Sequence, residues 1–339
     1  MTNPLYDPFA VLQKVYGGGA YLKQALNDTP IEEAHRARTA KVCYGVLEND
    51  IYLDFCIKSF APKSPKLPVR ILLKVSLYFL LFLGKARYMV TDSAVSLIRK
   101  LGKGGASGFV NAFLRNFDAE KLILPADKLS RLSVQYSFPP FAVSRLAGEY
   151  GEEAEEIMRP RPARTFVRFA GAPAQKYLDL PHEDTPFSGL YAYPNFRRDA
   201  GYDRGEYTFQ SVGSVAVCAA VEPCGELLDA CAAPGGKSVL LAGKCGRVTA
   251  FELHEHRAKL IESYASRMGA ENISVVCRDS SVFDPAYDGK FDAVLADAPC
   301  SGYGVVGENP DIKLLRREAD LSSLCKTQRA ILSACAPYV

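Results

Sequence analysis

Two short runs in this sequence carry the residue types that do chemistry. The first is Asp229-Ala-Cys-Ala-Ala-Pro-Gly-Gly-Lys-Ser238 and the second is Asp297-Ala-Pro-Cys-Ser-Gly302. Each begins where an apolar, strand-like run ends. The stretch Ala232-Ala233-Pro234-Gly235-Gly236-Lys237 follows Cys231 and leads into a helix. Glycines there let the backbone approach a ligand, and a helix start offers free N–H groups. The loop lacks the Gly-x-Gly-x-x-Gly spacing of a dinucleotide clamp. It also lacks the first glycine of a phosphate-cradling Gly-x-x-x-x-Gly-Lys-Ser loop, since Cys231 stands at that place before Gly236-Lys237-Ser238. Dehydrogenase and P-loop readings are therefore disfavoured.

Two further acids fall at equivalent places. Glu252 ends a second apolar run, where an acid can hold both hydroxyls of a ribose. Asp279 follows a third, where it can face an adenine. Either acid alone reads equally well as a cap or turn residue; in register with the glycine loop they describe a nucleotide-type pocket. Asp297 and Cys300 follow a fourth run. The Ser301-Gly302-Tyr-Gly304 turn keeps that thiol out of the core, where its pKa can be set locally. Cys43, Cys56, Cys218, Cys245 and Cys277 are expected to pack as small apolar side chains. Cys325 and Cys335 are expected to pack on one helix.

The elements that position these residues alternate strand and helix from about residue 206 onward. Strands are expected at 226–230, 247–252, 273–277 and 291–297, and helices at 237–244, 256–269 and 320–337. That order implies a parallel sheet with crossover helices and a ligand site at the carboxyl strand ends. Residues 1–120 read as all-helical, with one long periodic run over 32–60, Pro68 opening another helix, a break over 102–108 and a short helix over 109–116. Residues 121–205 are proline-rich and read as a small α+β connector, with a helix over 140–158 and a strand over 164–169.

The 339 residues are 48% hydrophobic and 23% charged with net charge +3, an ordinary globular composition. The charge is uneven: residues 1–120 hold 16 Lys/Arg against 10 Asp/Glu. A basic helical front end suits a polyanion, although charge alone fits a solvated helix surface too. Ten cysteines without a CxxC pair disfavour a zinc ribbon and fit a reducing compartment. His254 and His256 lack companion ligands and read as a helix start, so no metal is expected. No signal peptide is visible, and the most apolar run, Val75–Leu83, is too short to span a bilayer. The expected location is the cytoplasm, with no membrane partner.

Taken together, the Asp229–Lys237 and Asp297–Ser301 motifs resemble those of the S-adenosylmethionine-dependent RNA 5-methylcytosine methyltransferases. Asn309-Pro-Asp-Ile-Lys313 fits them too, and Gln210 and Ser214 are similar to a Gln-Asp-x-x-Ser element, with Ser211 in place of its acid. Arg38-Thr-Ala-Lys-Val-Cys-Tyr-Gly-Val-Leu47 and Gly108-Phe-Val-Asn-Ala-Phe-Leu-Arg115 resemble the NusB-like RNA-binding domain. This fusion resembles the bacterial ribosomal RNA small-subunit methyltransferase B family over nearly the whole chain.

The resemblance implies three parts. They are an all-α NusB-like domain over 1–120, a small α+β connector over 121–205, and an α/β Rossmann-like methyltransferase domain over 206–339. It implies S-adenosyl-L-methionine as cofactor, 16S ribosomal RNA as partner and methylation of a cytosine C5 as activity. Cys231, Ala232, Ala233, Pro234, Gly235, Gly236 and Lys237 would wrap the methionine and ribose, Glu252 would hold the ribose, and Asp279 would face the adenine. Asp297 would contact cofactor or cytosine, and Cys300 would assist product release. The nucleophilic cysteine of a Thr-Cys pair, expected after a fifth strand, is not in the sequence. The methyltransferase domain is therefore expected to be C-terminally incomplete, its fourth strand an open edge and its catalysis weak or absent. Two alternatives are a non-catalytic RNA-binding protein acting through the NusB-like domain, and an enzyme in which Cys300 is itself the nucleophile.

Overall fold

The computed structural model describes residues 3–61, 63–161 and 164–339. They form two compact units: Met1–Arg161 with Gly302–Glu318, and Pro162–Ser301 with Ala319–Val339. The helices of 128–158 pack in the first unit, and the strands of 165–209 belong to the second.

The first unit is helical among its described residues. Its main helices are α1 (Tyr6–Gly18), α2 (Leu22–Asn27), α3 (Glu33–Glu48), α4 (Asp50–Phe60), α5 (Leu67–Leu81), α6 (Arg87–Lys100) and α7 (Ser107–Asn116). They are followed by α8 (Lys128–Tyr136), α9 (Pro140–Tyr150) and α10 (Ala154–Met158). Helix α5 is the centre: every residue from Ile71 to Phe79 is buried, as expected for a helix apolar on all sides. Within that core Lys74 is 1% exposed. It pairs with Asp50 at 2.5 Å and Asp54 at 3.1 Å, and the Tyr16 hydroxyl also donates to Asp50. A lone buried ammonium would be costly, and these partners compensate it. The single helix expected over 32–60 is two, separated at Asn49. The helix expected over 140–158 breaks at Gly151, whose φ of 56° and ψ of −120° are non-helical and open to glycine because it has no Cβ.

The second unit holds two sheets. Strands β1 (Thr165–Phe169), β2 (Glu183–Asp184), β3 (Leu190–Tyr193) and β4 (Tyr207–Phe209) form an antiparallel sheet in the order β2-β3-β1-β4. Phe169, Tyr177, Tyr193 and Tyr207 form its apolar centre. Strands β5 (Glu226–Asp229), β6 (Arg247–Glu252), β7 (Ile273–Cys277) and β8 (Ala293–Leu295) form a parallel sheet in the order β7-β6-β5-β8. Helices Gly236–Ala242 and Glu255–Met268 make the β5–β6 and β6–β7 crossovers.

Central strands β5 and β6 are buried almost throughout, whereas β7 and β8 are half-exposed because each pairs on one side only among the described residues. That edge position corrects one expectation: Cys277, at the end of β7, is exposed rather than packed. Cys325 is exposed too, while Cys335, on the same helix Glu318–Cys335, is buried. Cys43, Cys56, Cys218 and Cys245 are buried as expected.

Candidate active site

In the parallel sheet the chain steps outward from β5 to β6 and β7, then returns to the other side of β5 as β8. The strand order reverses between β5 and β8, and such a switch point opens a crevice at the carboxyl ends. Asp229 is the last residue of β5 and Glu252 the last of β6. Asp279 lies two residues beyond β7, and Asp297 two beyond β8. Parallel pairing of these four strands brings all four acids to one end of the sheet.

The loop after β5 is shaped by its glycines. Gly235 has φ 105°, and a Cβ there would meet the Ile261 backbone at 3.1 Å. Only glycine lets this turn lie against helix Glu255–Met268. Gly236 then begins helix Gly236–Ala242, whose first N–H groups have no partner within the helix. Cys231 is half-buried, and burial pushes its thiol up to about 12, which makes it a poor nucleophile. Ala232 is buried and Ala233 half-buried, while Pro234 is exposed.

Lys237 closes the arrangement. Its Nζ lies 2.6 Å from Asp297 Oδ2. The first turn of the β5 helix is thus tied to the end of β8 across the switch point. Sequence reading named both residues without pairing them, because nothing in either motif encodes the 60-residue separation as contact. Cys300, three residues on, is exposed, in keeping with a thiol outside the core. Gln328 Nε2 donates to the Pro299 carbonyl at 2.8 Å and steadies that loop from helix Glu318–Cys335.

Three further groups support the site: Asp229 and Gln210, which the sequence motifs contain without assigning them to the pocket, and Arg168, which the sequence motifs do not contain. Asp229 is 1% exposed; its Oδ2 accepts from Ser238 Oγ at 2.7 Å, while Oδ1 has no partner. Burial raises its pKa to about 6, against the Ser238 hydroxyl and the Cys231 N–H. Gln210 is buried and bridges two elements: Nε2 donates to the Gly236 carbonyl at 3.1 Å, and Oε1 accepts from Arg168 Nε at 2.6 Å. Arg168, on β1, is 8% exposed, and burial lowers its pKa. This chain fixes the height of the glycine loop against the antiparallel sheet. Ser211 caps helix Val212–Ala219 by accepting from the Ser214 N–H. A serine can thus do the capping work of the acid expected there.

The remaining acids are well held. Glu252 is 4% exposed; it accepts from the His254 N–H at 3.1 Å and pairs with Arg257 at 3.3 Å. Asp279 is held by the Ser281 hydroxyl and N–H, which lower its pKa. His254 is the residue preceding helix Glu255–Met268, the helix start read from the sequence. Among the described residues no group of three or more His, Cys, Asp and Glu could hold a metal ion.

The chain is similar to known proteins in both halves. A family model described as 16S rRNA methyltransferase RsmB/F matches residues 217–339, and a NusB family model matches residues 9–119. The probable ribosomal RNA small subunit methyltransferase B of Bacillus subtilis (strain 168) is 31% identical, over 94% of this chain and 77% of that protein. The ribosomal RNA small subunit methyltransferase B of Sodalis glossinidius (strain morsitans) is 30% identical, over 90% of this chain and 75% of its own length. Among solved structures, the crystal structure of PH0851 superposes with a TM-score of 0.79 at 20% identity, over 99% of this chain and 83% of that one.

Proposed function

Because the chain belongs to the ribosomal RNA small subunit methyltransferase B family, we propose that it methylates carbon-5 of a cytosine in 16S ribosomal RNA, in the cytoplasm. We assign residues 1–120 to RNA binding and 206–339 to the methyl-transfer domain, with 121–205 connecting them. The methyl donor is S-adenosylmethionine. One observation carries the assignment of the site: Lys237 and Asp297 join the glycine loop to the thiol loop at the switch point of the sheet.

The residues present fit the donor. The unpartnered Asp229 Oδ1 is a buried acceptor awaiting a polar or cationic group, and the Gly235 turn leaves no side chain in the way. When bound, the donor supplies an electrophilic methyl group. Cys231, Ala232, Ala233, Pro234, Gly235, Gly236 and Lys237 would enclose its methionine and ribose, Glu252 would accept from the ribose hydroxyls, and Asp279 would face the adenine.

Carbon-5 of cytosine is too weak a nucleophile to take a methyl group unaided. A thiolate adding to carbon-6 converts the ring to an enamine, with charge developing at N3. A proton shared between N3 and the Asp297 carboxyl, which Lys237 orients, stabilises that charge. After transfer, a base takes the carbon-5 proton, the carbon-6–sulfur bond breaks and the double bond re-forms. Cys300 assists this release. The cytosine must leave its stack to reach such a site.

Removing the gene for this chain from its host should remove one 5-methylcytosine from 16S ribosomal RNA, read by nucleoside mass spectrometry. Resupply with the whole of the gene that was removed should restore it, and resupply with that gene carrying Glu252→Ala should not. An unchanged 5-methylcytosine content after gene removal would overturn the proposal.

A further inference from the structure

Two cysteines meet at the amino end of the parallel sheet, opposite the acids at its carboxyl end. Cys224 stands two residues before β5 and Cys245 two residues before β6. Their sulfurs are 3.5 Å apart, with the Cys224 thiol donating to Cys245. The methyl-transfer chemistry uses neither.

The backbone around the pair is fixed from several sides. The Gly246 N–H donates to the Cys224 carbonyl at 2.9 Å, and the Arg247 N–H to the Gly225 carbonyl at 2.7 Å. A Cβ at Gly246 would stand 2.7 Å from the Gly225 carbonyl oxygen, so glycine is what lets the two segments touch. Asp292 Oδ2 accepts from the Gly225 and Glu226 N–H groups at 2.9 and 2.8 Å. Asn272 Nδ2 donates to the Ala242 and Cys245 carbonyls, each at 3.0 Å. Two thiols held this way have already lost most of the freedom that closing a bond between them would cost. They differ in access: Cys224 is half-buried and Cys245 is 6% exposed, so a reagent meets Cys224 first. Burial, and then the contact with Cys245, raises the Cys224 thiol to about 11. Its thiolate is therefore scarce at neutral pH, and the pair stays reduced while thiols are in excess.

We propose that Cys224 and Cys245 are a redox modification site, forming a reversible disulfide when a small-molecule disulfide such as oxidised glutathione accumulates. The Cys224 thiolate attacks one sulfur of the reagent and displaces one glutathione thiolate. The Cys245 thiolate then attacks the Cys224 sulfur and displaces the second. The protein gives up two electrons and two protons, and the reagent takes them and leaves as two thiols. The new bond joins positions 21 residues apart and encloses β5, the glycine loop and helix Gly236–Ala242. It staples the strand, loop and helix that carry the donor site, from the end of the sheet opposite that site. Closing this loop restrains the unfolded chain and so stabilises the donor-binding unit under oxidising conditions. This holds whichever base the chain methylates.

The test equilibrates the full 339-residue chain in mixtures of reduced and oxidised glutathione, from fully reducing to equal amounts. Free thiols are blocked with N-ethylmaleimide, and the digested chain is read by mass spectrometry. A peptide pair joining Cys224 to Cys245 should dominate at equal amounts and vanish with dithiothreitol. The oxidised parent should melt roughly 5 °C above its reduced form, and Cys224→Ser and Cys245→Ala should show no such rise. Suppose instead that the folded parent, shown by its S-adenosylmethionine binding, leaves both thiols open to maleimide at equal amounts, or carries glutathione on each. Either result would overturn the site. So would a bond that forms only in urea, because the unfolded chain and not the folded geometry would then make it. A bond that forms without separating the melt of the oxidised parent from that of Cys224→Ser would overturn the stapling role.

Discussion

Asp229 is where the site departs most from what a stable fold alone would choose. Its carboxylate is buried, one oxygen lacks a partner, and its pKa is raised to about 6 from 3.8. A raised folded pKa means that the folded chain binds a proton more readily than the unfolded chain. Stability from this group therefore falls as pH rises from 3.8 to about 6, and the cost is complete above that. The difference corresponds to about 3 kcal/mol at most. Asp229→Asn removes the charge and keeps an acceptor for Ser238. Urea unfolding should show the variant gaining stability relative to the parent between pH 4 and pH 7. Calorimetry at pH 7 should show weaker S-adenosylmethionine binding in the same protein. A stability difference that does not change with pH would refute this account. The conflict between folding and binding at one residue is what a ligand-accepting group looks like.

At the level of elements, the segment Gly302–Glu318 makes a similar point with the opposite charge. It leaves the parallel-sheet unit directly after the thiol loop and packs in the helical unit. Asp311 is 4% exposed and caps α2 by accepting from the Leu22 N–H at 2.9 Å. Tyr303 packs between Phe138 and Phe141. Lys313 donates to the carbonyls of Tyr136 at 3.2 Å and Glu48 at 3.4 Å, over the Phe138 ring. Burial lowers its pKa to about 8 from 10.5, against the attraction of Glu48 and Asp50. The folded chain here sheds a proton more readily than the unfolded chain. The cost is therefore full below pH 8 and is relieved as pH rises to 10.5, by up to about 3 kcal/mol. Lys313→Met should abolish that relief. The parent's unfolding free energy should rise relative to the variant's between pH 7.5 and pH 10, and parallel curves would refute it.

Sequence reading grouped Asn309–Lys313 with the catalytic motifs and could not foresee this packing, because spacing says nothing about which body a segment joins. The core strands were legible for a physical reason. Leu227-Leu228 and Val248–Phe251 are covered on both faces and read as continuous apolar runs. The break at Asn49 was not legible, because apolar spacing continues across it from Leu47 to Leu53 and the turn costs the pattern only one residue. Cys277 was misjudged because strand order, which makes β7 an edge, is a property of the sheet and not of the segment. The positions of the acids at the strand ends are legible because each follows the apolar run that delivers it. Asp229 was passed over as a pocket member because its burial and its unpartnered oxygen exist only in three dimensions.

For the molecule as a whole, two properties should separate: holding the methyl donor and forming a bond to RNA. The glycine loop, Glu252, Asp279 and the Lys237–Asp297 pair all lie within the 339 residues, and no Thr-Cys pair does. If Cys300 serves release rather than attack, a polypeptide of these 339 residues should bind S-adenosylmethionine. It should form no denaturant-resistant complex with RNA carrying 5-fluorocytosine, because no thiolate is placed to add to carbon-6. Fluorine at carbon-5 cannot leave as a proton does, so any addition followed by methyl transfer would be trapped and would be visible on a denaturing gel. A trapped complex that disappears with Cys300→Ser would make Cys300 the nucleophile and refute the release role. One that persists with Cys300→Ser would require another of the ten cysteines to add to the ring. The exposed positions of Cys277 and Cys325 make those two the residues to replace next.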